Sequence, residues 1–257
     1  MLYSVRRLHG FAIGAADGLI GRVWDAYFDD RLWGIRYLAV DTTHWLSRRR
    51  VLVSPLSLRG TDAPHRVLPT SLTRAQVAAS PDVDTDKPVS RQHEVELYRY
   101  YGFPYYWVSA EVAGEMPYAA AAGVPGGLAA LELETHWVRT APGDPHLRSV
   151  RAVTSHYVHA IDTDIGHVAD FLYDETAWAI RYVAVATGSW WPGRKVLVPV
   201  EWVTWLSWDA HTVDVALRSD TIRLAPQYDA AFPPSAEYLD RLRAYYGVPP
   251  ASPPGPA

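Results

Sequence analysis

No cysteine occurs anywhere in the 257 residues. Without a thiol there is no disulfide framework, no cysteine nucleophile and no thiolate-held zinc, iron–sulfur or blue-copper centre, so several enzyme classes fall away together. Long apolar runs are missing as well: nowhere do about 18 uninterrupted apolar residues occur, the length a membrane-crossing helix needs. The start, Met1-Leu2-Tyr3-Ser4-Val5-Arg6-Arg7, has basic residues with no apolar run behind them and does not read as a secretory leader. The expected location is therefore cytoplasmic. A Gly-rich phosphate loop is absent, and Ser54-Pro55 offers no Gly-x-Ser-x-Gly elbow. What the chain has in quantity is apolar and aromatic surface: 49% hydrophobic residues, 11 Trp and 16 Tyr against 20% charged residues, a globular composition.

The chain contains one unit twice. Asp17-Gly18-Leu19-Ile20-Gly21-Arg22-Val23-Trp24-Asp25, continued through Val53, aligns without a gap on Asp162-Thr163-Asp164-Ile165-Gly166-His167-Val168-Ala169-Asp170, continued through Val198. Trp33-Gly34-Ile35-Arg36-Tyr37-Leu38-Ala39-Val40 falls on Trp178-Ala179-Ile180-Arg181-Tyr182-Val183-Ala184-Val185, and much later Tyr100-Tyr101-Gly102 falls on Tyr245-Tyr246-Gly247. Roughly half of the aligned positions are identical, which chance does not produce over such a length. The organisation expected is a first repeat over residues 1–107, an Ala/Gly/Pro-rich acidic linker over 108–147, a second repeat over 148–250 and a Pro-rich tail over 251–257. Charge is uneven across these parts. Residues 1–107 carry 14 Lys and Arg against 11 Asp and Glu, residues 108–147 carry 1 against 5, and the remainder carries 9 against 12.

Within a repeat the patterning is that of short strands. Leu8 to Ile13 alternates like a strand, a turn follows at Ala15-Ala16-Asp17-Gly18, and Ile20 to Phe28 leads through a bend at Asp29-Asp30-Arg31-Leu32 into a strand over Trp33–Asp41. That strand is apolar on both faces, so one set of side chains fills an interior while the other is covered by a neighbouring element. A second hairpin, clearest at Trp190-Trp191-Pro192-Gly193, precedes Arg194 to Val198. Afterwards the period changes: Thr70–Ser80 reads as a strand end passing into a short helix. Ser90 then caps a helix over Arg91–Tyr101 that Gly102 stops, and its copy runs from Ser235 to Gly247. Val95, Leu97, Tyr98 and Tyr101 make an aromatic stripe suited to lying on the strands.

These residues resemble the bacterial PRC-barrel domain. The resemblance rests on Asp-Gly-x-Ile-Gly-x-Val-x-Asp, Asp-Asp-x-x-Trp-x-Ile-Arg-Tyr and Trp-Leu-x-x-Arg-x-Val-Leu-Val-Ser-Pro at Asp17 to Pro55, and on the second copy through Trp190 to Val198. It covers everything except the linker and the tail. It implies a mainly β protein with two small PRC-type β-barrels in tandem, each followed by short helices and joined by an irregular linker. The barrel is found also in the cytoplasmic part of the photosynthetic reaction-centre H subunit and in a ribosome maturation factor, where it docks onto proteins and is not a catalytic scaffold. The implied function is a non-enzymatic adaptor that binds another protein, with pseudo-twofold pairing of the repeats open. An RNA- or ribosome-associated assembly factor is the alternative. A regulatory part of a membrane-associated photosynthetic electron-transfer complex is a further one, resting on the fold alone.

His156, His159 and His167, with Asp162, Asp164 and Asp170 nearby, are of the types that hold a metal. Yet positions 156 and 159 face opposite sides of a strand, and the first repeat has Phe11, Gly14 and Arg22 there, so no metal and no cofactor is expected. Asp29-Asp30 and Asp174-Glu175 read as solvated hairpin tips, not as an acid/base pair. Arg36 and Arg181 each sit inside an apolar strand and need an acid partner; Asp25 and Asp170, kept in both copies, are the expected partners in cross-hairpin ion pairs. For partner binding the expected residues are Trp45, Arg48, Arg49, Arg50, Trp190, Trp191 and Arg194, at the aromatic and cationic hairpins. The run Arg48-Arg49-Arg50 beside an aromatic is also what a phosphate backbone would contact.

Overall fold

The computed structural model of the chain describes residues 1–42, 45–46, 50–81, 91–103, 147–188 and 193–247, without the side chains of 91–95. Its strands and helices, in chain order, begin with β1 (Leu2–Ser4), β2 (Ala12–Ala15), β3 (Gly18–Asp29), β4 (Ile35–Asp41), β5 (Arg50–Val53) and β6 (Val67–Pro69). Helices α1 (Arg74–Ala78) and α2 (Arg91–Tyr101) follow. After them come β7 (Leu147–Ser149), the single turn α3 (Val150–Val153), β8 (Tyr157–His159), β9 (Asp164–Asp174), β10 (Ala179–Ala186) and β11 (Lys195–Pro199). The last are β12 (Val203–Ser207), β13 (Thr212–Val215), α4 (Ser219–Leu224) and α5 (Ala236–Tyr246). Leu2 and Leu147 open the two series, and the difference, 147 − 2 = 145, carries nearly every element of the first onto one of the second.

The protein is mainly β, in two sheets. One has six strands in the order β5-β4-β3-β2-β6 with β7 added against β3; the other has seven, β11-β10-β9-β8-β13-β12 with β1 added against β9. Among the described residues no ladder joins the two ends of either sheet, so closure into a barrel is not part of the hydrogen-bonding pattern. β3 is long because it serves three partners. Arg22–Phe28 pairs with β4, while Gly18–Arg22 pairs with β2 and Tyr27–Asp29 with β7 on the opposite edge. Bulges at Trp24 and at its copy Ala169 bend the strand between these roles. At Gly21 the bend brings backbone against backbone: a Cβ there would lie 2.0 Å from the Asp41 carbonyl oxygen, and one at Gly166 would lie 1.9 Å from that of Ala186. No other residue fits, so both copies keep glycine.

Two sequence expectations shift. The strand read over Leu8–Ile13 begins only at Ala12, because Val5–Leu8 closes a 3-10 turn and Gly10 adopts φ 80°. Residues 1–107 also do not stay together. Met1–Arg7 groups with Val150 and the described residues that follow it, whereas the described residues of Leu8–Ser149 form the other compact unit. The physical reason is β-pairing: β1 is antiparallel to β9, with Tyr3 across from Tyr173, and β7 is antiparallel to β3, with Arg148 across from Phe28. Of the linker expected over 108–147, residues 108–146 lie outside the described residues and Leu147 opens β7; the tail expected over 251–257 lies outside the described residues too.

In the first unit α2 lies on the sheet. Leu97 and Tyr98 pack with Tyr27, Tyr37, Ala39, Leu52 and Leu147, and Tyr98 meets Tyr37 edge to face at 6.2 Å. This covers the Tyr37/Ala39 face of β4, while Leu38 and Val40 are buried on the other. Burying a Leu or Tyr of this kind stabilises by about 1.5–3 kcal/mol each, which is why the apolar stripe fixes the helix. Gly102, at φ 68°, and Gly247, at φ 70°, terminate the paired helices. The Tyr100 hydroxyl donates to the Gln76 carbonyl and Tyr245 donates to that of Thr221, tying each long helix to the short one before it. Among the described residues no helix is long and apolar enough to cross a membrane.

Candidate functional site

Strand pairing in the second sheet assembles one exposed face from four strands. Asp164 lies across from His159, His159 across from Asp214, and Asp214 across from Trp205, a row running β9, β8, β13, β12. The next outward row is His167, Tyr157, Thr212 and Ser207. Between them Val158, Val213 and Leu206 point inward and are buried, as the two-residue period requires. Tyr157 and Trp205 stand 61% and 60% exposed on this face. Trp208, also exposed, flanks it on the turn that joins β12 to β13.

The same grid exists over β3, β2 and β6 of the first sheet with different contents. Leu19, Gly14 and Pro69 replace the first row and Arg22, Ala12 and Val67 the second, with Asp62 bridged to Val67; no fourth strand continues the grid there among the described residues, and Gly60 corresponds to Trp205 by sequence position alone. A large exposed aromatic thus stands at Tyr157 where the first sheet forms with Ala12, and Trp205 stands on a strand that the first sheet does not add. Sequence reading passed over Tyr157, Trp205 and Trp208 because exposed aromatics scattered along strands resemble core positions. The signal lay in comparing the copies position by position, where Ala becomes Tyr and Gly becomes Trp.

The electrostatics are those of an open surface. His159 Nδ1 lies 2.7 Å from Asp164 Oδ1, and this hydrogen bond, helped by the Asp164 and Asp214 charges, holds the imidazole above its ordinary range. His156 behaves oppositely. It is buried, its ring 5.0 Å from that of His211, and burial followed by the His211 charge pushes it down. His167 is exposed. The three histidines do not converge, and no group of three or more potential ligands able to hold a metal occurs among the described residues. The Ser207 hydroxyl accepts from the Ala210 amide and lies in the other row from the His159–Asp164 pair, so these groups do not form a nucleophile and base.

The hairpin residues expected to bind a partner are placed differently. Arg48, Arg49, Trp190 and Trp191 lie outside the described residues. The Trp45 indole N–H donates to the Ile20 carbonyl, and the Arg74 guanidinium stacks on its ring at 4.4 Å. Arg50 lies over Trp24 at 3.7 Å. Arg194 donates to the Ala225 carbonyl at 2.7 Å. All three are half-buried and engaged within their own unit.

The cross-hairpin ion pairs also give way to another arrangement. Register puts Ala39 across from Asp25 and Ala184 across from Asp170, while Arg36 and Arg181 occupy bulges several residues nearer the turn. Arg36, only 3% exposed, has its Nη2 3.8 Å from Asp29 Oδ2. Asp29 also accepts from the Arg31 and Leu32 amides, so one carboxylate both builds the turn and faces the buried guanidinium. In the copy Asp174 keeps the turn bonds, to Thr176 and Ala177, but Arg181 is half-exposed. Gly34 explains the difference. A Cβ there would lie 2.7 Å from Arg36 Cζ, and the copy has that Cβ in Ala179.

Asp25 and Asp170 bond to the added strands. Ser149 Oγ donates to Asp25 Oδ2, and Ser4 Oγ donates to Asp170 Oδ2, each at 2.5 Å. Asp170 also accepts from the Phe171 and Arg6 amides. Burial pushes its carboxyl up despite these bonds. No family model matches the chain, and no curated protein matches it either.

Proposed function

We propose that this chain is a tandem PRC-barrel protein, each sheet curling into one small barrel, that binds another protein and catalyses no reaction. The observation that supports this reading is the exposed face of the second sheet, where Tyr157 stands at a position that the first sheet fills with Ala12 and Trp205 stands on the added strand β12. Exposed tyrosine and tryptophan on a rigid sheet are the side chains that anchor protein interfaces, with large area and little entropy to lose. Asp164 and Asp214 in the same row favour a protein partner over nucleic acid, since they repel phosphate. The His159 and Asp164 side chains of the face are open to water, whereas a reaction centre shelters its acid and base.

Affinity purification of the tagged chain from its native cell tests this. A protein that remains after nuclease treatment and is lost from the Tyr157→Ala/Trp205→Ala variant is the expected result. Removal of two aromatic anchors weakens such an interface by about 30-fold or more. Removal of an exposed apolar side chain from the equivalent face of the first sheet, Leu19→Ala, leaves binding intact. A partner that vanishes with nuclease treatment makes the chain an RNA-associated factor, and one retained by the double variant moves the interface off this face.

A further inference from the structure

The strands that complete the two sheets are exchanged along the chain. β1 opens the first repeat yet is bonded into the sheet of the second; β7 opens the second repeat yet is bonded into the sheet of the first. Both acceptor edges receive their strand in one register: Leu2 across from Asp174 and Ser4 across from Leu172, Leu147 across from Asp29 and Ser149 across from Tyr27. Both donor segments read Leu-x-Ser-Val-Arg, at Leu2–Arg6 and at Leu147–Arg151. The leucines are buried, Leu147 within the cluster under α2. Each serine hydroxyl reaches a carboxylate of the acceptor sheet, Asp170 for Ser4 and Asp25 for Ser149.

We propose that each slot is a self-recognition site whose partner is a second copy of this chain, two chains filling one another's β3 and β9 edges with β7 and β1. This is independent of the exposed aromatic face, which engages the Asp164–His167 end of β9 whereas the slot is at Leu172–Asp174. The reasoning starts from length. A three-residue strand makes too few backbone bonds to hold by itself, so its side chains must select it. Leucine supplies the apolar contact. The serine hydroxyl supplies the rest, because Asp25 is 5% exposed and without that donor its carboxylate loses a bond where water hardly reaches. The donor that satisfies both demands in the observed register is the Leu-x-Ser strand of this same chain. Contacts are the same whether donor and acceptor belong to one chain or to two, so concentration during folding decides between them.

The test refolds the full chain from urea at low-micromolar and at near-millimolar concentration and measures mass by light scattering. Dilute refolding yields monomer and concentrated refolding a dimer fraction larger by about tenfold or more, as mass action demands. Tagged and untagged chains refolded together give mixed dimers, while chains mixed after refolding give none, the strands being already seated. The Ser4→Val/Ser149→Val variant forms about tenfold fewer mixed dimers, the effect of losing a hydrogen bond to a charged group. Ser4→Thr/Ser149→Thr, which keeps the hydroxyls, retains them. A peptide of residues 1–8 added during refolding suppresses the dimer and a scrambled peptide does not. Monomer at every concentration overturns the proposal. So do dimers that the valine variant leaves unchanged, and equal suppression by the scrambled peptide, which would make the slot a site for any extended segment.

Discussion

Gly34 and Arg36 show how one missing methyl group sets the fate of a charge two residues away. With glycine the guanidinium folds inward onto Asp29; with alanine in the copy, Arg181 stays half in water. A buried guanidinium is tolerated only with a carboxylate beside it, since an unpaired buried charge costs several kcal/mol. Gly34→Ala therefore expels Arg36 and leaves the buried Asp29 carboxylate without its cation, a loss of about 1–3 kcal/mol. Ala179→Gly costs only the backbone entropy of a glycine, about 0.5–1 kcal/mol. Urea unfolding midpoints of the two variants check this, and equal losses would remove the steric argument. The retained arginines were visible in the sequence. Their partner was not, because the bulges at Arg36 and Arg181 move each arginine out of line with Asp25 and Asp170, and patterning does not reveal a bulge.

At the scale of the element, the serine-to-aspartate bond governs whether a donor strand stays seated. Ser4→Ala removes a donor from the half-buried Asp170 carboxylate and Ser149→Ala one from the buried Asp25 carboxylate, and each lowers stability by about 1–3 kcal/mol. The two losses are alike because register and distance are alike. Asp170→Asn is milder at neutral pH than Ser4→Ala. Burial already holds the Asp170 carboxyl above its ordinary range, so a neutral amide relieves a charge the site disfavours while still meeting the hydroxyl. Urea denaturation of the three variants gives the order. Helices were the elements most legible beforehand: Arg91–Tyr101 and Ala236–Tyr246, each stopped by a left-handed glycine, follow from capping and stop residues that act locally. A three-residue donor strand has no such local mark.

For the molecule as a whole, the copies differ in what acid does to them. Phe11 in the first repeat, under the Arg66 guanidinium at 5.1 Å, becomes His156 beside His211 in the second. Burial, and then the His211 charge, hold His156 below its ordinary value of 6.5. Stability linked to it is intact above that value and is lost as pH falls through 6.5 towards the folded-state value, because the unfolded chain takes up the proton first. His159 works in the opposite sense, but its exposed pairing with Asp164 makes that effect small. Calorimetry near pH 5 and near pH 7.5 is expected to show the second-repeat unit melting earlier in acid, by on the order of 1 kcal/mol. His156→Phe abolishes the difference. Unchanged acid sensitivity in that variant would assign the effect to another group.

Duplication, strand-rich patterning, the paired terminal helices and the glycines at Gly21 and Gly166 were determined by the sequence alone, since each depends on residues close in the chain or on identity between copies. Tertiary structure decided which sheet each leading strand joins, where Arg36 finds its acid, that Trp45, Arg50 and Arg194 serve their own unit, and that Tyr157 and Trp205 share one open face. Those outcomes depend on pairing between segments far apart in the chain. Register across such pairs is set by bulges, close backbone approaches and buried hydroxyl-to-carboxylate bonds, which have no local period to betray them.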